Sequence, residues 1–500
     1  MTLQATIHIG ASALSMIVLG ADNEVIDYLE KPVPLAHDIF GTRQIRSATI
    51  ERTVETIRGF QEVLRELGAG DIPIRAFATN TLSEAENADI FHNRLQIACN
   101  IHLETLDDGE MTRLVFLKTR RRLLDTPSMK KRNTIVAHVG PGNTRLLLFR
   151  NGQVIRYNSY RLGTHRTAEA IAQPDVQGEA ALRLINDHVS SLISQIYYDF
   201  RKDDIEDIVV IGHEVQLLSG YLSKPNRTKS RLETIRQLTR EVADISEDER
   251  VRRYQLDYQS AAAIVPALAI NLAIAEIFEV STVRVSPSDY QFGLLSDLAH
   301  RSQLASEFRT EVMNSARHLA RRYRTDPRHA DHVAHLSLRL FDEMQELHLL
   351  TPHDRLLLEI ACILHETGNF ISSLHHERHS LYIVLQSEVF GLSYYDKSIV
   401  ALITRYHRGP SPRPDHEHYS ELSSSDRLRV AKISSLLRIA DALERTHSQR
   451  IKDLKTSSGK GLLRLKTSGT ADATAERLAL QSKGRLFEEL FGLRLVIQES

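Results

Sequence analysis

The first three hundred residues predict two α/β domains, and the last two hundred predict a helical domain closed by a small α/β piece. Three observations carry this reading. A strand–turn–strand unit occurs twice, the hydrophobic period changes to helical near residue 301, and alternation returns after residue 456.

The first unit is LQATIHIGASALSMIVLG (3–20), read as strand, small-residue turn and strand. Its counterpart, TIVAHVGPGNTRLLLFR (134–150), follows the same plan roughly 130 residues later. Each carries apolar–His–apolar–Gly, as Ile7-His8-Ile9-Gly10 and Ala137-His138-Val139-Gly140. Strands and amphipathic helices follow each hairpin; over 49–67, Ile50, Val54, Ile57, Phe60 and Val63/Leu64 share one helical face. Two such halves predict a duplicated actin/hexokinase-like (ribonuclease H-like) architecture with a ligand cleft between them. The expected domains are 1–130, 131–300, 301–455 and 456–500. At the first junction stand Lys118, Arg120, Arg121, Arg122, Lys130, Lys131 and Arg132, which read either as a solvated linker face or as a track for a polyanion.

Beyond residue 301 the stripe Val333, Leu336, Leu340, Met344, Leu347 marks a helix. A strongly apolar helix is expected over 354–367, ending at Gly368 as a left-handed cap. Another is expected over 427–447, with Val430, Ile433, Leu437, Ala440 and Leu443/Glu444 inward. The end of the chain alternates (Leu462, Leu463, Leu465) and closes with SKGRLFEELFGLRLVI.

Composition narrows the function classes. A formal charge of −1 excludes a global basic field for nucleic acid, so any anion site must be local. No run reaches the roughly 18 to 20 apolar residues of a membrane span, and the N-terminus reads as a strand rather than a signal peptide. Two cysteines, Cys99 and Cys362, sit among apolar neighbours without metal-type spacing, as expected of buried thiols in a reducing cytoplasm. Histidine is uneven: 14 of the 23 lie between residues 301 and 450, which points to chemistry there.

That chemistry has candidate residues. His365-Glu366 ends a buried helix, His329 lies one turn before Val333, and Asp441 lies one turn after Leu437. Three helices therefore direct ligand-type side chains at a core, where an unpartnered charge is costly and a divalent metal is a natural partner. A His–carboxylate set suits a transition ion better than Mg. His375, His376, His379 and His407 are candidates for a second metal or for phosphate.

The blocks HADHVAHLSLRLFD (329–342), ILHETG (363–368), HHERHSLYIV (375–384), ITRYHRG (403–409) and VAKISSLLRIADALERTH (430–447) resemble an HD-type metal-dependent phosphohydrolase domain. That resemblance implies His329, His365, Glu366 and Asp441 as metal ligands, with Glu366 where many such domains have Asp. Together with FATNTLSEAENADIF (77–91), GEMTRLVFL (109–117), LLSDLAH (294–300) and SKGRLFEELFG (482–492), the whole chain resembles the exopolyphosphatase / guanosine pentaphosphate phosphohydrolase (Ppx/GppA) family. The resemblance implies a cytoplasmic phosphoanhydride hydrolase, a homodimer, acting on polyphosphate or guanosine penta/tetraphosphate with a divalent metal.

It also implies a phosphate site at Gly10, Ser12, Gly140, Gly142, Asn143, Thr144 and Arg145. Here the sequence departs from the family's pattern. Its hairpins read roughly Asp-x-Gly-Ser-Asn-Ser and Asp-x-Gly-Gly-Gly-Ser-Thr-Glu, whereas this chain has His8, His138 and Arg145 at the acidic positions and Pro141 within the second turn. The family's arginine falls at Ser83, its glutamate pair at Glu110-Met111, and a later Arg-Glu at Gln291-Phe292. Glu110 is left as the candidate catalytic carboxylate. Two alternatives follow: hydrolysis at the HD-type metal site, or a catalytically impaired regulator that binds a polyanion or nucleotide.

Overall fold

The computed structural model describes residues 3–21, 24–70, 72–123, 132–172, 176–222, 229–285, 305–469 and 472–499. The side chains of 117–131, and hence the basic clusters apart from Arg132, lie outside the described residues, as do Gln291-Phe292 and 294–300. The chain divides into two compact units, Met1–Ala305 and Ser306–Ser500.

The first unit contains two mixed sheets. Strands β1 (Gln4–Ile9), β2 (Ala13–Leu19), β3 (Val25–Pro32), β4 (Ile74–Ala78) and β5 (Leu103–Thr105) lie in the order β3-β2-β1-β4-β5. Strands β6 (Thr134–Val139), β7 (Thr144–Arg150), β8 (Gln153–Tyr160), β9 (Asp207–Ile211), β10 (Lys229–Arg231) and β11 (Thr282–Val285) lie in the order β10-β11-β9-β6-β7-β8. In both sheets an antiparallel hairpin adjoins parallel strands: β1 pairs β2 and β4, and β6 pairs β7 and β9. The hairpin turns close alike, Gly10 N–H donating to Ala13 O (2.9 Å) and Gly140 N–H to Asn143 O (3.0 Å). The carboxyl ends of β1, β4, β6 and β9 face one place, where open α/β sheets bind ligands.

One expectation fails in this unit. The helix Tyr258–Ile277 is long and apolar enough to cross a membrane, with mean hydropathy 1.8 over its best window, 72% of which is buried within the protein. It is apolar on every side because it packs against the helices Thr164–Ala170, Gly178–Phe200, Leu232–Ala243 and Glu247–Tyr254.

The second unit is helical, with a sheet β12 (Asp453–Gly459), β13 (Leu462–Ser468), β14 (Arg494–Glu499) beside the helices Thr474–Lys483 and Arg485–Phe491. Its core helices are Pro327–Glu343, Pro352–Leu364, Tyr394–Tyr406 and Ser424–Leu443. Pro327 opens its helix at a position where no N–H is needed, and Asp326 caps it. Thr351 and Asp354 form a reciprocal capping box on the next. The expected stripe ends early: Leu347 lies beyond the first helix and is 36% exposed. The second helix also stops at Leu364, so Gly368 is no left-handed cap. Gly368 is required by packing instead, since a Cβ there would stand 2.0 Å from His376 O and 2.6 Å from Ser380 N.

Candidate functional sites

In the first unit the hairpin turns line a small cleft, with Gly10, Ser12, Gly140, Gly142, Asn143 and Arg145 among its walls. His8 and His138 stand at equivalent places, one strand residue before Ile9 and Val139, and their rings lie against Gly10 and Gly140. Neither ring nitrogen of His8 has a hydrogen-bond partner among the described residues, and burial pushes its pKa down to about 4. His8 is therefore neutral at pH 7, where an aspartate would carry a charge able to hold a cation.

Three expected cleft residues do something else. Thr144 is fully buried and its hydroxyl donates to Leu162 O (2.6 Å). Glu110 is not among the cleft residues; it is paired with Arg113 at 3.0 Å, and the neighbouring Met111 lines the cleft. Arg145 lines the cleft but its guanidinium is ion-paired with Asp108, whose other oxygen accepts from Tyr157 Oη (2.7 Å). Burial alone would raise the Asp108 carboxyl; the Arg145 charge and hydrogen bonds from Tyr157, Arg145 and Ser159 outweigh it and hold it below the ordinary value.

The second turn is also closed from behind. Thr164 N–H donates to Gly140 O, and the N–H groups of His165 and Arg166 donate to Pro141 O (3.1 and 3.0 Å). Arg166 lies over the Phe40 ring and donates to Gly142 O and to Glu84, which also accepts from Arg161. A Cβ at Gly163 would sit 2.2 Å from Pro141 O, so this closure requires glycine there.

One carboxylate does line the cleft, and sequence reasoning missed it. Glu214, 2% exposed, follows β9 by three residues; Thr164 Oγ1 donates to it (3.2 Å) and His165 Nε2 lies 3.4 Å away. Burial would raise its pKa, but His165, then His213, hold it below the ordinary range, so it is ionised. The signal was the run DIVVIGHE (207–214), a parallel strand ending in glycine, histidine and a carboxylate.

In the second unit the structure brings His329, His365 and Asp441 together, with their ligand atoms within 4.8 Å of one another. The three come from the start of Pro327–Glu343, the end of Pro352–Leu364 and the end of Ser424–Leu443. His365 Nδ1 bonds Cys362 O at 2.7 Å, which fixes the proton there and leaves Nε2 as a lone pair without a partner among the described residues. His329 is 0% exposed, with Nε2 3.9 Å from Glu366 and 4.0 Å from Asp441, and Nδ1 4.0 Å from Glu444. Burial alone would lower its pKa; Glu444, Glu366 and Asp441 outweigh that and raise it. Asp441 is held ionised by Lys483, then His407 and His365, against the effect of burial.

Glu366 belongs to an overlapping group with His329 and His447. His447, stacked on His329 at 3.6 Å between ring centroids, was not expected, nor was Glu444 behind His329. These imidazole nitrogens and carboxylates form a donor set that fits a transition ion, with the orphaned His365 Nε2 as the observation that calls for one. Of the four further histidines, His376 and His407 meet, Nε2 to Nε2 at 3.1 Å. His407 Nδ1 bonds Thr404 O, and Arg408 reaches His376 Nδ1, so His376 can donate to His407 and the pair satisfies itself. His375 is exposed beside Glu377 and His379 is half-buried; neither joins a ligand cluster among the described residues.

The comparisons with known proteins identify the family to which these two units belong. The family model described as Ppx/GppA phosphatase family matches residues 26–302, and that described as Ppx/GppA phosphatase, domain III matches 312–481. The chain belongs to the Ppx/GppA phosphatase family. Relatives named guanosine-5'-triphosphate,3'-diphosphate pyrophosphatase, from Pseudoalteromonas atlantica and Aeromonas hydrophila, are each 21% identical, over 87% and 88% of this chain and 86% of theirs. The crystal structure of an exopolyphosphatase from Cytophaga hutchinsonii superposes with a TM-score of 0.51 at 14% identity, covering 61% of this chain and 99% of that one. The family's actin/hexokinase-like fold is thus present.

Proposed function

We propose that this Ppx/GppA member hydrolyses phosphoanhydride bonds in a polyphosphate or guanosine penta/tetraphosphate class of substrate, and that its hydrolytic centre is the His329–His365–Asp441 cluster. The observation that carries this reading is the convergence of those ligand atoms within 4.8 Å around an unpartnered His365 Nε2. The names of the relatives support the substrate class, and the resemblance to HD-type domains supports the location. A divalent transition ion bound there would polarise a phosphoryl oxygen and lower the pKa of its water to about 7.

The chain's own residues prepare that chemistry. Cys362 O orients His365, and the Glu444 carboxylate behind His329 Nδ1 favours the ring's orientation towards the site. Asp441 supplies a carboxylate that stays ionised, and Glu366, 3.9 Å from His329 Nε2, stands where it can accept a proton from an attacking water. A second reading places hydrolysis in the cleft of the first unit, favoured by the buried, ionised Glu214.

Metal content and phosphate release from polyphosphate, guanosine tetraphosphate and guanosine pentaphosphate separate the two. The proposal expects about one divalent ion per chain, and loss of both metal and turnover in Asp441→Ala. A wild type without metal, or an Asp441→Ala variant of full activity alongside an inactive Glu214→Gln, would overturn it in favour of the cleft.

A further inference from the structure

The cluster in the second unit is reached by a cation from the end of the chain. Lys483 is the last residue of the Thr474–Lys483 helix, yet its Nζ donates to Asp441 Oδ2, with the two side chains 16% and 10% exposed. Its backbone is held in place for this. Arg438, one turn before Asp441 on the same helix, donates Nε to Lys483 O (3.1 Å) while its other nitrogens hold Tyr406 O (3.2 Å) and Gly409 O (2.9 Å). The next residue has to be glycine, because a Cβ at Gly484 would lie 2.7 Å from both Leu480 O and Leu495 Cδ1. A clamp and a tight turn therefore fix where the lysine enters.

The ammonium is underused in this position. It carries three N–H donors; one goes to Asp441, and no other acceptor is bonded to it among the described residues. With the side chain 16% exposed, the two remaining donors are open to solvent or to an incoming acceptor. Charge balance points to what that acceptor is. Glu366, Asp441 and Glu444 lie within 4.0 Å of the His329 ring. One divalent ion offsets two of the three carboxylates and Lys483 offsets the third, so a loaded site is neutral before any phosphate arrives. Lys483, already in contact with Asp441, is a fixed positive group placed to meet that phosphate.

We infer that Lys483 is a substrate-binding residue of this centre, a conclusion that rests on reading the cluster as a metal site. Its ammonium yields Asp441 Oδ2 when the carboxylate takes up a divalent ion, and turns its donors to a non-bridging oxygen of the substrate's phosphoryl group. The small C-terminal α/β piece thereby completes the site that the helices begin.

Calorimetry on the full chain tests this, with Co²⁺ as the metal probe and pyrophosphate as the ligand probe, on wild type, Lys483→Met and Lys483→Arg. The expected result is Co²⁺ affinity in Lys483→Met equal to or tighter than wild type, because a competing cation is gone. Pyrophosphate binding to the Co²⁺-loaded Met variant is expected to be at least about tenfold weaker, with much of it restored in Lys483→Arg. Pyrophosphate affinity within twofold of wild type in Lys483→Met overturns the inference, and so does loss of Co²⁺ binding in that variant, which would make the lysine a support for Asp441 alone. If wild type takes up no Co²⁺, the metal reading fails instead; Lys483 is then judged by pyrophosphate binding to the metal-free proteins, where an unchanged Met variant counts against it. Should Lys483→Met unfold, Lys483→Gln read in the same assays replaces it.

Discussion

His8 offers a test of the altered cleft that needs no substrate. Its imidazole is buried with both nitrogens unpartnered among the described residues, and its pKa is pushed down to about 4, against about 6.5 in an unfolded chain. Between those values the unfolded chain holds a proton that the folded chain lacks, so stability falls as pH falls through that window. From this one group the loss is about 2 kcal/mol at pH 5, approaching about 3 kcal/mol below pH 4. His8→Leu removes the titration and two orphaned polar atoms at similar volume. Hydrogen exchange of the β1 and β4 amides reports the opening free energy of this unit and suits a chain with no tryptophan. Wild type is expected to lose about 2 kcal/mol more than His8→Leu between pH 7 and pH 5. Equal losses in the two proteins would refute the reasoning, since His8 would then be protonated or partnered in the fold.

Other outcomes follow from the same geometry. Arg145→Leu leaves Asp108 half-buried beside Tyr157 without its cation, at a cost of about 1 to 3 kcal/mol in chemical denaturation; Asp108→Asn in the same protein should recover much of it. Gly368→Ala drives a Cβ into His376 O and Ser380 N, so a loss of about 2 kcal/mol or more is expected, with weaker metal uptake as His365 shifts. Glu110→Gln should leave phosphate release within about twofold of wild type, because its carboxylate faces Arg113 rather than the cleft. A tenfold loss in that variant would restore Glu110 to the chemistry.

The hairpins were legible because glycine and alternation are local signals: each turn closes on itself within four residues. Helices with one apolar face were equally readable, and so were the inward positions of His329, His365 and Asp441, which share a face with apolar residues one turn away. Neighbouring residues at a helix start were harder. Glu110 and Met111 differ by about 100° around the axis, and only packing decides which one meets the cleft. Gly368 was read by conformation when its reason is the approach of His376 and Ser380, which is tertiary. Lys483, His447 and Glu444 reach the cluster from turns and helix ends whose placement depends on the whole unit. The Tyr258–Ile277 helix was passed over because its apolar stretch is broken by Ser260, Pro266 and Asn271, although its average is high.

The Arg145–Asp108 pair has a consequence for the order in which this sequence could change. The resemblance to the family's hairpin motif implies a glutamate at position 145, but here Asp108 and Tyr157 are arranged around a guanidinium. A glutamate at 145 alone would set two carboxylates against each other in a poorly solvated place, so that step is unfavourable by itself. Asp108 would have to be neutralised first, and that change alone leaves Arg145 without its anion. Each single reversal passes through a less stable intermediate. The pair therefore acts as a ratchet: neither Arg145 nor Asp108 is readily exchanged for a residue of different charge on its own.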